Sequence, residues 1–134
     1  MNKFRYFYLA LFLISFDQIF KYFFVVNNIY VVNSKYILGQ VYFSKLLYFI
    51  LVFVFVFFII RLAQNATSRL NLVLYLLICS GVISNFLDRL LRGFVVDYIN
   101  LTGFVTVNLA DVYIFVGVLL LVIFDIKGLY FNKK

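Results

Sequence analysis

The sequence predicts an all-α membrane protein of four transmembrane helices, with room for a small extracytoplasmic β element between the first two. Three observations predict it. Apolar residues make up 66% of the 134 positions, where just under about half is usual. Charged residues make up 13%, roughly half the usual share. Apolar stretches near the roughly 20 residues needed to cross a bilayer recur along the whole chain. In water, a chain of this size would leave too much of that surface exposed. Lipid accepts it, provided the backbone polar groups are satisfied inside helices.

The length fits one domain, 1–134. The first span is expected at about 4–26. It has a basic start in Lys3 and Arg5, but Asp17 and Lys21 follow and no small-residue cleavage site appears. It therefore reads as a retained span and not as a cleaved signal peptide. The second is expected at about 42–61, where Tyr42 and Phe43 extend the apolar run Leu46–Ile60. The third is expected at 70–91 and the fourth at 109–127. The chain has no proline, so no proline kink is expected. The single Cys79 sits in an apolar run; it allows no internal disulfide and reads as a small buried hydrophobe.

Orientation follows from Lys and Arg near the span ends. Lys3, Arg5, Arg61, Arg69, Lys127, Lys133 and Lys134 fall on one side, against Lys35, Lys45 and Arg92 on the other. Both termini are therefore expected in the cytoplasm. The net charge of +7 fits flanks that meet anionic lipid. Nucleic-acid binding is the poorer reading, because the basic residues are scattered among membrane-like neighbours.

On this topology the costly residues gather at one level. Asp17 and Lys21 are four apart on one face of the first span. Asn85, Asp88 and Arg89 lie at spacings of three and four near the outer end of the third. Asp97 lies in the outer link, and Asn108 and Asp111 begin the fourth span. A charge at membrane depth costs several kcal/mol unless paired or hydrated, so these groups should face each other or a wet cavity. Two aspartates held close share a proton, and such a pair can hydrolyse a peptide as acid and base. There is no histidine, which excludes Ser-His-Asp and Cys-His arrangements. Serines for a Ser-Lys pair exist at Ser15, Ser34, Ser44, Ser80 and Ser84, but their placement does not favour it. No Gly-rich phosphate loop and no zinc-ligand set is present.

Three ordered stretches carry a resemblance. Gly81-Val-Ile-Ser-Asn-Phe-Leu-Asp-Arg-Leu-Leu-Arg-Gly-Phe-Val-Val-Asp-Tyr-Ile-Asn100 resembles the lipoprotein signal peptidase (signal peptidase II) block G-x-x-x-N-x-x-D-R-x-x-x-G-x-V-x-D-[FYM]-I. Val107-Asn-Leu-Ala-Asp111 resembles F-N-x-A-D, with Val107 in place of phenylalanine. Asp17-Gln18 with Lys21 resembles D-Q-x-x-K. A further block, N-x-G-x-A-[FW]-[GS], finds its best match in Asn33-Ser-Lys-Tyr-Ile-Leu-Gly39, with Lys35 and Ile37 where Gly and Ala are usual.

The resemblance implies an intramembrane aspartyl endopeptidase. It would remove the signal peptide of a bacterial prolipoprotein just before the diacylglyceryl cysteine. It places Asp97 and Asp111 on the catalytic pair, and Asp17, Gln18, Lys21, Asn33, Asn85, Arg89 and Asn108 on positions that bind substrate or support the site. No metal or organic cofactor is expected. The expected partners are a diacylglyceryl prolipoprotein and membrane lipid, with no nucleic acid, and the chain is expected to act as a monomer. The site is expected toward the extracytoplasmic side of a bacterial cytoplasmic membrane.

Other readings stand beside it. Asp17 with Lys21 also fits a structural ion pair, and Asn85 a plain interhelical hydrogen bond. Asp88 with Arg89 and Arg92 also fits a solvated helix end, and so does Asp125 beside Lys127. Asp111 alone fits a first-turn aspartate favoured by the helix dipole. As whole functions, a small transporter or channel subunit and an inactive lipoprotein-binding relative remain open.

Overall fold

Long apolar runs without proline make helices, and helices dominate the computed structural model, which describes residues 3–34, 45–66 and 68–131. In chain order they are α1 (Lys3–Val26), α2 (Lys45–Gln64), α3 (Arg69–Leu91) and α4 (Leu109–Phe131). Phe4–Val26, Leu46–Gln64 and Arg69–Leu91 are long and apolar enough to cross a membrane; in α4 the corresponding described stretch is shorter, Leu109–Phe124. The expected start of the second span at 42–44 lies outside the described residues, as do Lys35–Gly39 of the second motif and the side chains of Asp125 and Lys127. Helix α2 runs on past Arg61 to Gln64. A cation in the last turn meets the negative end of the helix dipole and does not end the helix.

Local signals set the ends of α3. Ser68 caps its start by accepting the Asn71 N–H at 3.0 Å. At its end Gly93 takes φ +83°, the left-handed conformation that lets the chain leave the helix without a Cβ clash.

Helix α3 is the centre of the bundle and packs against α1, α2 and α4. Small residues allow this. A Cβ added at Gly81 would lie 2.4 Å from the Ala110 carbonyl oxygen, and one at Gly117 would lie 2.6 Å from Ile78 Cγ1. Close helix contact through small residues is how bundles pack in lipid.

The burial pattern is inverted relative to a water-soluble protein. Large apolar side chains point outward, with Phe53 68% and Phe115 66% exposed, whereas Asp17, Lys21, Ser84, Asp88 and Asn108 are fully buried. A small apolar cluster of Ile59, Ile78 and Cys79 joins α2 to α3, as expected for Cys79.

Two short antiparallel ribbons lie at one end of the bundle. β1 (Val31–Asn33), in the link between α1 and α2, pairs with β2 (Val95–Asp97). β3 (Ile99–Asn100) pairs with β4 (Thr106–Val107). The expected β element is therefore present, but its partner strand comes from the α3–α4 link. Val95, Val96 and Asp97 are all buried, which fixes β2 against the bundle.

Candidate active site

The start of α4 sets the position of one aspartate. Asn108 caps the helix: its Oδ1 accepts the Asp111 N–H at 2.9 Å, and Asp111 Oδ2 accepts the Asn108 N–H at 3.2 Å. This is a reciprocal capping box with aspartate in the third helical position. The Asn108 amide has one more use. Its Nδ2 donates to Asp97 Oδ1 at 2.7 Å. One asparagine thus touches both aspartates.

The β1–β2 ribbon sets the other. Val31 pairs with Asp97 and Asn33 with Val95, so Asn33 and Asp97 are diagonal neighbours on one face. Asn33 Nδ2 donates to Asp97 Oδ2 at 2.9 Å. Asp97 is 3% exposed. Burial pushes its carboxyl above the ordinary carboxylate range. The two amide donors oppose that rise, the charge of Asp111 adds to it, and the charge of Lys21 opposes it.

Asp97 and Asp111 line one cavity of about 1240 Å³, together with Asn33, Tyr48, Asn85 and Arg89. Arg89 is braced from α2: its Nη1 donates to the Tyr48 hydroxyl at 3.1 Å, and its guanidinium stands 4.9 Å from the Tyr48 ring centroid. Apolar side chains such as Leu51, Phe55 and Ile114 complete the wall.

Behind this wall lies a buried ion cluster. Lys21 Nζ stands 2.8 Å from Asp17 Oδ2 and 2.9 Å from Asp88 Oδ2. Arg92 also pairs with Asp88. Gln18 Nε2 donates to Ser84 Oγ at 2.9 Å and to Asp88 Oδ1 at 3.1 Å, and the Ser84 hydroxyl donates to Asp17 at 2.6 Å. Asp17 Oδ1 takes the Ala110 N–H at 3.0 Å, one of the free donors of the α4 start. Asp88 Oδ2 takes the Val96 N–H at 3.2 Å. The cluster therefore ties α1, α3, β2 and α4 together.

Of the expected site residues, Asn33, Asn85, Arg89, Asp97 and Asp111 line the cavity. Asn108 is buried between the aspartates. Asp17, Gln18 and Lys21 stand one layer behind. The solvated-end reading of Asp88 fails, because its carboxylate is fully buried between two cations. The sequence offers Ser84 only as a serine for a Ser-Lys pair and Arg92 only as part of a solvated helix end, and does not single out Tyr48. Ser84, Asp88 and Arg92 are each four residues apart, a polar stripe on one helix face that could have marked the first two. Tyr48 carries no such signal in a helix rich in aromatic residues. Among the described residues, no cluster of His, Cys, Asp or Glu could hold a metal ion.

The family described as signal peptidase (SPase) II matches residues 9–127. Relatives called lipoprotein signal peptidase include one from Caldicellulosiruptor bescii, 37% identical over 60% of this chain and 57% of that protein. One from Fusobacterium nucleatum is 39% identical over 50% of this chain and 40% of that protein, and one from Escherichia coli is 45% identical over 45% and 39%. The matching stretch thus spans between about two fifths and three fifths of these relatives. Among solved structures, a bacterial membrane enzyme determined by the in meso method aligns with TM-score 0.87 and 24% identity over 98% of this chain and 93% of that one. A second of the same description aligns with TM-score 0.78 and 22% identity over 90% and 92%. These two likenesses establish the fold.

Proposed function

The chain belongs to the signal peptidase (SPase) II family, and from that premise we propose that it is an intramembrane aspartyl endopeptidase acting on diacylglyceryl-modified prolipoproteins, with Asp97 and Asp111 as the catalytic pair. Membership and the apolar helices make it a bacterial membrane protein. The observation that carries the aspartyl reading is the double use of Asn108, which hydrogen-bonds to Asp97 and to Asp111 at the wall of one cavity.

In the proposed reaction the pair holds one proton. The ionised carboxylate takes a proton from water as the water oxygen adds to the scissile carbonyl carbon. The protonated carboxyl hydrogen-bonds to the carbonyl oxygen as negative charge develops there. The tetrahedral intermediate then expels the amine, which leaves with a proton from the pair as the C–N bond breaks. Asn33, Asn85 and Asn108 keep the carboxylates oriented. Arg89, braced by Tyr48, presents donors to the substrate backbone. The apolar wall suits the hydrophobic part of a signal peptide, and cleavage falls before the lipid-bearing cysteine. Asp17, Gln18 and Lys21 support the pair from behind.

The positive-inside pattern supports cytoplasmic termini and a site on the extracytoplasmic side. A conduit for ions would place ionisable groups at several depths. Here Asp17, Lys21, Asp88, Asp97 and Asp111 are linked at one end of the bundle, which favours a site.

The test is a gel-shift assay with the purified protein in lipid and a diacylglyceryl-modified precursor. Asp97→Asn and Asp111→Asn should each abolish cleavage while remaining folded. Normal turnover by either variant ends the dyad assignment, and no turnover by the unaltered chain favours a lipoprotein-binding relative.

A further inference from the structure

We propose that Lys21 is a positioning residue for the reaction: through Asn85 it fixes which end of an amide faces Asp111 and so holds the catalytic pair in register. This rests on the peptidase reading above.

A lysine ammonium has three N–H groups and no acceptor. The described contacts use all three: Asp17 Oδ2 at 2.8 Å, Asp88 Oδ2 at 2.9 Å and Asn85 Oδ1 at 2.8 Å. The first two form a charge-balanced cluster with Arg92, two cations against two carboxylates. The third leaves the cluster and points toward the cavity wall.

That third bond decides the orientation of Asn85. Its carbonyl end must face the ammonium, so its NH₂ end faces Asp111, where Nδ2 donates to Oδ1 at 2.7 Å. A flipped amide would set NH₂ against ammonium and carbonyl oxygen against carboxylate, repulsive at both ends. Asp111 Oδ2 is held separately by the Asn108 N–H. With both oxygens held, the Asp111 carboxylate has one rotamer, the one that lines the cavity with Asp97. The field of the ammonium also reaches the pair, since its charge opposes the burial of Asp97.

A merely structural lysine would stabilise the bundle and leave the chemistry alone. The positioning role predicts more. Tyr48 from α2 and Arg89 from α3 share the cavity with the pair, Asp17 and Lys21 from α1 and Asp88 and Arg92 from α3 form the cluster behind it, and Tyr98 follows Asp97 in the chain. Removing the Lys21 cation from that set should move the acid limb of the kcat profile to higher pH. The limb reports the pair as a unit.

The experiment is steady-state cleavage of a diacylglyceryl-modified precursor by the purified full chain in lipid, measured across pH for Lys21→Gln, Asn85→Ala and the double variant. We expect kcat to fall about tenfold or more in each and KM to stay within about twofold, and we expect the acid limb to move to higher pH in Lys21→Gln and the double variant, which lose the cation. The double variant should be no worse than the poorer single one, because both cut one chain of contacts. Asn85→Ala leaves the ion cluster intact, so it decides the matter if Lys21→Gln does not fold. A folded Asn85→Ala protein with unchanged kcat overturns the proposal, and so does a folded Lys21→Gln protein with unchanged kcat and an unmoved acid limb. Absence of cleavage by the unaltered chain overturns the peptidase reading itself, and the two failures are thereby distinguished.

Discussion

Asn108 and Asp97 meet at 2.7 Å through the one amide end that capping α4 leaves free. The same side chain ends a strand-to-helix connection and joins two carboxylates. Two substitutions separate these tasks. Serine at 108 keeps an acceptor for the helix N-terminus but has no amide to give Asp97. Alanine loses both, and a lost cap removes about 1 kcal/mol. Asn108→Ser should therefore melt close to the unaltered protein yet cleave poorly, whereas Asn108→Ala should do worse on both counts. Thermal denaturation in detergent and precursor cleavage together check this; equal activity of Asn108→Ser and the unaltered chain would refute it.

The buried carboxyl of Asp97 gives stability a definite pH dependence. Burial raises its pKa above the ordinary 3.8. The folded state thus keeps a proton at pH values where the unfolded chain has released it. Where the folded state binds more protons, stability falls as pH rises. The loss begins near the ordinary carboxylate range and continues up through the raised value. Asparagine does not titrate, so the melting temperature of Asp97→Asn relative to that of the unaltered protein should be highest at neutral pH and fall on acidification. A gap that is the same at every pH would show that Asp97 does not supply this dependence.

Asp88 distinguishes a helix end in solvent from a buried ion cluster. An exposed pair contributes about 0–1 kcal/mol. Removing one partner of a buried pair costs about 3–5 kcal/mol, because the other charge is left uncompensated. Asp88 is fully buried against Lys21 and Arg92. Asp88→Asn should therefore lose folded protein heavily, measured as monodisperse protein recovered in detergent. Recovery equal to the unaltered chain would return Asp88 to the surface reading.

Cys79 packs with Ile59 and Ile78, away from the cavity. Cys79→Ala should leave turnover per folded molecule unchanged and lower thermal stability only slightly. Loss of cleavage in well-folded Cys79→Ala would assign the thiol a part in the site.

Much of this was legible in the sequence because lipid makes charge conspicuous. Asp17, Lys21, Asn85, Asp97, Asn108 and Asp111 stand out against apolar neighbours, and the four-span topology places them at one level. The pairing of β1 with β2 was not legible. It joins Asn33 to a strand more than 60 residues later, and no local periodicity encodes such a partner. The fate of Asp88 was hidden for a related reason. Spacing puts it on a helix face but does not say whether solvent or the Lys21 ammonium lies opposite. Tyr48 was masked by composition, since one ring among many in α2 carries no mark of its contact with Arg89.

The glycines of the α3–α4 contact tie packing to chemistry. At Gly81 an added Cβ would meet the Ala110 carbonyl oxygen at 2.4 Å, a backbone atom that cannot turn aside, and Ile114 Cγ1 at 2.8 Å. At Gly117 the nearest atom is Ile78 Cγ1 at 2.6 Å, on a side chain that can change rotamer, although the Leu74 carbonyl oxygen follows at 3.1 Å. Overpacking of this kind costs about 1–3 kcal/mol. Its functional effect depends on where the strain goes. Ala110 precedes Asp111, and its N–H is held by Asp17. Pushing α4 away at Gly81 therefore displaces one member of the pair relative to Asp97, which β2 holds. A misplacement of about 1 Å can lower a rate about a hundredfold. Gly81→Ala should thus lose cleavage out of proportion to its loss of stability, whereas Gly117→Ala, more than one helical turn further along α4, should lose stability and keep its turnover per folded molecule. Melting temperatures and kcat for the two variants decide it, and a Gly81→Ala protein that melts low but cleaves normally would detach the helix contact from the position of Asp111.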